Sequence, residues 1–271
     1  MLSARPFPSA RQVRDRVVYM LSHDRKTIIS MAVISSAAAT LLHEGLGHGV
    51  VAWLRGDVPT ELTSNHLSSV TPDRWVEAGG TLVNLCAGSI ALIGSRAAGT
   101  RANLRYFLWI FAALNLLPGA GYFVFSGLLG LGDWNEVIRG APHQELLRIV
   151  MTIFGSGLYV LVVRQLALAL TPYCPSRPEY NTVGRVPYYA ACLFSCAAGA
   201  LDPLGFKLFL LSTVPAAFGG SSGLMWADSF LPRTPGGPAL TVRKQPAVWV
   251  AALVLGLGYI LVLGPGIKLS R

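Results

Sequence analysis

The chain has 271 residues, 52% of them hydrophobic and only 13% charged. So few charges cannot cover a soluble surface, and the composition is that of a membrane protein. The formal charge of +9 is accompanied by no aromatic-interleaved basic patch and no recognisable nucleic-acid module, so it excludes nucleic acid as a partner and reads as membrane-topology charge.

In chain order, residues 1–26 form a basic segment carrying Arg5, Arg11, Arg14, Arg16, Arg25 and Lys26 against Asp15 and Asp24. The apolar run that follows, residues 27–54, is too long for a signal-peptide core and long enough to cross about 30 Å of hydrocarbon. Further apolar stretches lie at 79–98, 104–131, 146–171, 188–219 and 246–265. The expected fold is therefore all-α, a polytopic membrane helix bundle of about six spans. Pro118-Gly119-Ala120-Gly121 interrupts the third span and Asp202-Pro203 the fifth, so both are expected to be broken, the fifth as a kinked span or as two half-helices, which would make seven.

Residues 55–78 suit a short hairpin at the membrane surface, and residues 220–246, rich in Gly, Pro and Ser, read as a flexible loop. Cys86, Cys174, Cys192 and Cys196 lie in or beside apolar stretches without a C-x-x-C motif, which supports neither a disulfide framework nor a zinc ribbon. Counting Lys and Arg over six spans puts the N-terminus in the cytoplasm, and the basic N-terminal segment alone decides that orientation.

The first span contains Leu42-His43-Glu44-Gly45-Leu46-Gly47-His48-Gly49. Ionisable groups inside a span are costly and functional by default. Two histidines and a glutamate are also the ligands and base of a zinc hydrolase, in which imidazoles bind the metal and a carboxylate takes a proton from water. A buried His–Glu pair or a proton relay is the plainer alternative. The spacing is H-E-x-x-x-H, one residue longer than H-E-x-x-H. On a regular helix His43 and His48 would point about 140° apart and could not share an ion. A π-bulge brings residues i and i+5 nearly into line, and Gly45 and Gly47 are residues whose backbone accepts one. A π-type bulge is therefore expected between the two histidines.

Three features in order give the chain a resemblance to the site-2-protease group of intramembrane zinc metalloproteases. They are the His-Glu-His helix, Ala78-Gly79-Gly80-Thr81-Leu82-Val83-Asn84, which looks like that group's Ala-Gly-Pro…Asn segment, and Asn115-Leu116-Leu117-Pro118-Gly119, which looks like the start of its Asn-x-x-Pro…Asp-Gly segment. The resemblance covers about residues 30–135. It implies a three-helix protease core over residues 27–135, with additional spans over 136–271, in one membrane domain. It further implies one catalytic Zn2+ on His43 and His48, Glu44 as general base, and Asn84 and Asn115 holding the substrate backbone or the oxyanion; interhelical packing is the alternative role for the two amides. Its substrates would be membrane-embedded or membrane-adjacent peptides or proteins, and its setting the lipid bilayer of a bacterial cytoplasmic membrane. The oligomeric state is left open.

Two departures qualify the resemblance. The histidine motif is one residue longer, and the family's aspartate ligand is replaced by Gly121. The third ligand must come from elsewhere, and Asp133 and Asp202 are the candidates. Asp133 follows the family order, with a loop residue beside Trp134 as its alternative reading; Asp202 sits at a break in an apolar stretch, where it could equally cap a helix. His66 lies in a polar loop, and His23 and His143 in charged linkers. The family's membrane orientation also conflicts with the charge count, because His43 lies past the midpoint of a helix that starts inside. The rivals from other classes are a transporter or channel using His43, Glu44 and His48 as an ion or proton site, and a non-catalytic protease-like scaffold.

Overall fold

The computed structural model describes residues 22–71, 73–175, 177–233 and 238–269. Most of the basic N-terminal segment expected over residues 1–26 therefore lies outside the described residues. Helix α1, Arg25–Leu54, begins at Asp24, whose carboxylate accepts from Thr27 N at 2.8 Å and caps the first turn. Two short strands follow, β1 (Pro59–Leu62) and β2 (Leu67–Ser69), then α2 (Arg74–Ala97), α3 (Ala102–Leu129) and the short α4 (Asp133–Val137). The second half holds α5 (Gln144–Tyr173), α6 (Val186–Gly199), α7 (Gly205–Phe230), α8 (Pro246–Leu263) and β3 (Ile267–Lys268). The result is an all-α bundle with a small surface sheet. Among the described residues, six helices (α1, α2, α3, α5, α7 and α8) are long and apolar enough to cross a membrane.

Helix α3 is the centre of the bundle. Its Tyr106, Trp109, Ile110 and Leu117 are fully enclosed, and their polar tips are satisfied on neighbouring segments: Tyr106 Oη donates to the Val183 carbonyl at 2.7 Å and Trp109 Nε1 to that of Leu166 at 2.9 Å. The expected break in this span does not occur. Helix α3 runs unbroken through Pro118. The proline withdraws one donor, the one that would reach the Leu114 carbonyl, and packing on both sides holds the remaining turns.

The fifth apolar stretch is interrupted as expected, as two separate helices. Pro203 cannot extend the ladder of α6, and Asp202 caps the turn by accepting from Leu204 N at 2.9 Å. Helices α6 and α7 then run antiparallel, with Tyr188 Oη donating to Phe218 O and Cys192 Sγ to Ala217 O. The shorter α6, of 14 residues, packs among the six long helices. Asp24 N bonds Val242 O at the start of α8, whereas Ser64 N bonds Leu263 O at its end. The described chain therefore finishes at the end of the bundle opposite Arg25.

The expected hairpin is present. Strands β1 and β2 pair antiparallel with Pro59 opposite Ser69 and Leu62 opposite Leu67, and β3 pairs with the other edge of β1. The loop after α7, expected to be flexible, is pinned where it is described: Leu240 N bonds Pro172 O, Val242 N bonds His23 Nδ1 and Arg243 N bonds Asn103 Oδ1. Val242 is fully buried.

Candidate metal centre

Residues Leu41–Val50 form a π-helix within α1, as the histidine spacing predicts. The widened turn carries His43 and His48 onto one side, with ring centroids 4.8 Å apart and nearly perpendicular planes. Gly47 has a second use beyond backbone freedom. A Cβ there would stand 2.4 Å from Gly80 Cα, so α1 and α2 touch backbone to backbone. A Cβ on Gly80 would lie 2.6 Å from both His43 Nε2 and His48 Nε2. Both Nε2 atoms thus face one niche, and glycine keeps it open.

The third member arrives from α4. After Gly132, Trp134 packs its ring on Phe123 with centroids 4.4 Å apart, which folds α4 back over the end of α3. Asp133 Oδ2 then stands 3.1 Å from His43 Nε2 and 3.6 Å from His48 Nε2. One ligand atom from each of the three residues lies within 4.8 Å of the others. Burial pushes the Asp133 carboxyl up, but the hydrogen bonds and charges of His43 and His48 overcome this and hold it well below the usual carboxylate range. His48 Nδ1 donates to the Val76 carbonyl at 2.7 Å, so the neutral ring that a metal would bind carries its lone pair on Nε2, facing the niche. His43 is steadied by Tyr122, stacked on it with centroids 5.1 Å apart. Such a set can hold a metal ion.

Glu44 lies beside this group, its Oε2 3.9 Å from His48 Nε2 and its side chain 7% exposed. It lines two cavities. The larger, of about 910 Å³, is walled mainly by apolar residues of α3, α5 and α7, including Val124, Phe125, Leu128, Val160, Leu208 and Leu211, and reaches Leu67 and Ser69 of β2. That volume is typical of a ligand site. The smaller, of about 120 Å³, is lined by Ser36, Thr40, Asn84, Ser195 and Thr213 together with His43 and Glu44.

Asp202, the alternative third ligand, does not belong to the group. Its carboxylate accepts from Asn65 Nδ2 at 3.0 Å and stands 3.5 Å from His66 Nδ1, tying the hairpin turn to the α6–α7 connection. His23 bonds the Tyr173 carbonyl. The two amides separate: Asn84 lines the small cavity, while Asn115 spends its Nδ2 on the Phe111 carbonyl of its own helix at 2.7 Å and lines neither cavity. Sequence reasoning missed Tyr122, Val76 and the role of Gly80. A lone tyrosine in an apolar run carries no spacing signal, and a backbone carbonyl carries none at all. Comparison with protein-family models, curated proteins and solved structures found no match.

Proposed function

We propose that this protein is a membrane-embedded zinc endopeptidase of the site-2-protease type. The observation that carries the reading is the convergence of His43 Nε2, His48 Nε2 and Asp133 Oδ2 on one niche, with Glu44 alongside and a large apolar cavity opening onto it. Two imidazoles and one carboxylate are a donor set suited to a catalytic zinc with a position left for water. The space kept by Gly80 and the tautomer fixed by Val76 fit the same ion. Zinc held there would lower the pKa of water and polarise a carbonyl.

The remaining chemistry belongs to the chain. Glu44 accepts the proton of the attacking water and delivers it to the leaving amine. The apolar cavity admits a hydrophobic peptide segment and keeps bulk water from it. An extended segment exposes the scissile carbonyl that a helix would occupy in its own hydrogen bonds. With β1 in the middle of the sheet, β2 is an edge strand, and its Leu67 and Ser69 line the cavity. That edge can hold a substrate strand by backbone pairing. In the test, purified protein cleaves a membrane-derived peptide, and Glu44→Gln abolishes cleavage while zinc stays bound. A Glu44→Gln variant as active as wild type would overturn the reading.

The rival reading, an ion or proton pathway through His43, Glu44 and His48, draws on the small Ser- and Thr-lined cavity beside them. Proteoliposome flux abolished by the same Glu44→Gln substitution, with no peptide cleaved by the wild type, would favour it.

A further inference from the structure

Peptide hydrolysis is accelerated by a hydrogen-bond donor aimed at the oxygen that becomes anionic when water adds to the carbonyl carbon. The amides expected to supply it are poorly sited for a substrate in the large cavity. Asn115 is bonded within its own helix, and Asn84 lines only the small cavity. Of the hydroxyls lining the large cavity, that of Tyr159 is committed to Gly220 O at 2.9 Å and Gly223 N at 2.7 Å. Tyr122 differs in three respects. Its ring stacks on the candidate ligand His43 at 5.1 Å with planes 20° apart. It lines both cavities, so it stands where they meet beside Glu44. Its hydroxyl lies within electrostatic reach of Asp133, Glu44 and Glu77, and no described residue hydrogen-bonds it.

We propose that Tyr122 is a catalytic residue whose phenolic O–H donates to the scissile carbonyl oxygen as negative charge gathers there. The inference rests on the zinc-endopeptidase reading above. In the step it serves, the water oxygen bonds to the carbonyl carbon, the π electrons pass to the carbonyl oxygen, and Glu44 takes the water proton. Tyr122 shares its proton with the oxyanion and keeps it. When the intermediate collapses, that electron pair re-forms the C=O bond, the C–N bond breaks, and the Glu44 proton goes to the amine.

Tyr122→Phe in the full-length protein tests this, because it keeps the ring on His43 and removes only the hydroxyl. Five quantities are measured: zinc content, kcat and KM on a peptide the wild type cleaves, and affinity for each of two peptide inhibitors. One inhibitor is a phosphinate, which carries a tetrahedral anionic oxygen, and the other a hydroxamate, which chelates the metal. The inference expects unchanged zinc, KM and hydroxamate affinity. It expects kcat to fall on the order of 10²–10³-fold, the effect of losing one oxyanion donor, with phosphinate affinity falling in parallel. Unchanged kcat and phosphinate affinity overturn the inference and leave the parent reading standing. Loss of zinc in the variant also overturns it, since Tyr122 would then act only through His43. A wild type that neither holds zinc nor binds the phosphinate overturns both.

Discussion

His48 and Val76 are joined by a hydrogen bond of 2.7 Å from the imidazole Nδ1 to the backbone carbonyl. The bond ties the π-helical part of α1 to the first turn of α2 and, in the neutral ring that a metal would bind, places the lone pair on Nε2, the nitrogen nearer Asp133. A backbone carbonyl cannot be removed by side-chain substitution. The orientation of His48 therefore depends on the start of α2, and on the Asp73 cap that begins it.

That dependence makes Asp73 a test of pH behaviour. Its carboxyl is held below the ordinary carboxylate range, first by the Trp75 backbone N–H at 2.7 Å and then by Arg55 at 2.9 Å. A carboxyl lowered in the folded state contributes above its unfolded value and loses that contribution as pH falls through the folded one. Asp73→Ala should cost about 1 kcal/mol at neutral pH, the usual worth of an N-cap, and progressively less under strong acid. Denaturant titrations at both pH values check this, and an equal cost at both would contradict it.

The π-helix provides a second prediction. Deleting Gly45 converts the motif to His-Glu-x-x-His and removes the extra residue of the widened turn, so both imidazoles stay on one face and zinc is retained. Deleting Ala38, in the regular part of α1, leaves no compensation at that point and rotates the motif by about 100° relative to the preceding turns. Zinc should be lost. Metal analysis of the two deletions separates these outcomes, and a zinc-free Gly45 deletion alongside a zinc-loaded Ala38 deletion would sink the account.

Gly80 and Gly45 form a matched pair. A Cβ on Gly80 meets both ligand nitrogens at 2.6 Å, whereas one on Gly45 meets nothing within 4 Å. Gly80→Ala should therefore abolish zinc binding in protein that still folds, and Gly45→Ala should leave zinc content unchanged. Zinc retained in Gly80→Ala would mean that the niche is not the metal's position.

Part of the candidate site is legible in the chain. His43 and His48 stand out because charge inside a span is rare, and their spacing of five predicts the π turn that the structure has. Asp133 was harder, because its approach depends on Trp134 packing on Phe123 and no local pattern announces that contact. Asp202 was ambiguous for the same reason. Its partners Asn65 and His66 come from the hairpin, far away in sequence, and they make it a structural carboxylate rather than a ligand. Pro118 misled because a proline inside a helix is tolerated when neighbours supply the packing, and sequence does not show the neighbours. The direction of α6 follows from Asp202-Pro203 acting as a tight turn, a distinction hydropathy cannot draw.

Asp133 and Asp202 therefore make contrasting predictions. Asp133→Asn should weaken metal binding strongly with the fold retained. Asp202→Asn should keep the metal but lower thermal stability by roughly 1–3 kcal/mol, because it disturbs a buried network holding Asn65, His66 and the Leu204 N–H. Zinc titration and thermal unfolding of both variants check the pair, and a reversal of the two phenotypes would move the third ligand to Asp202.

The most direct measurement is the metal content of the purified full-length protein by mass spectrometry, beside that of its His43→Ala variant. The account predicts about one zinc per chain in the wild type and none in the variant; a wild type purified free of metal that takes up no zinc would contradict it.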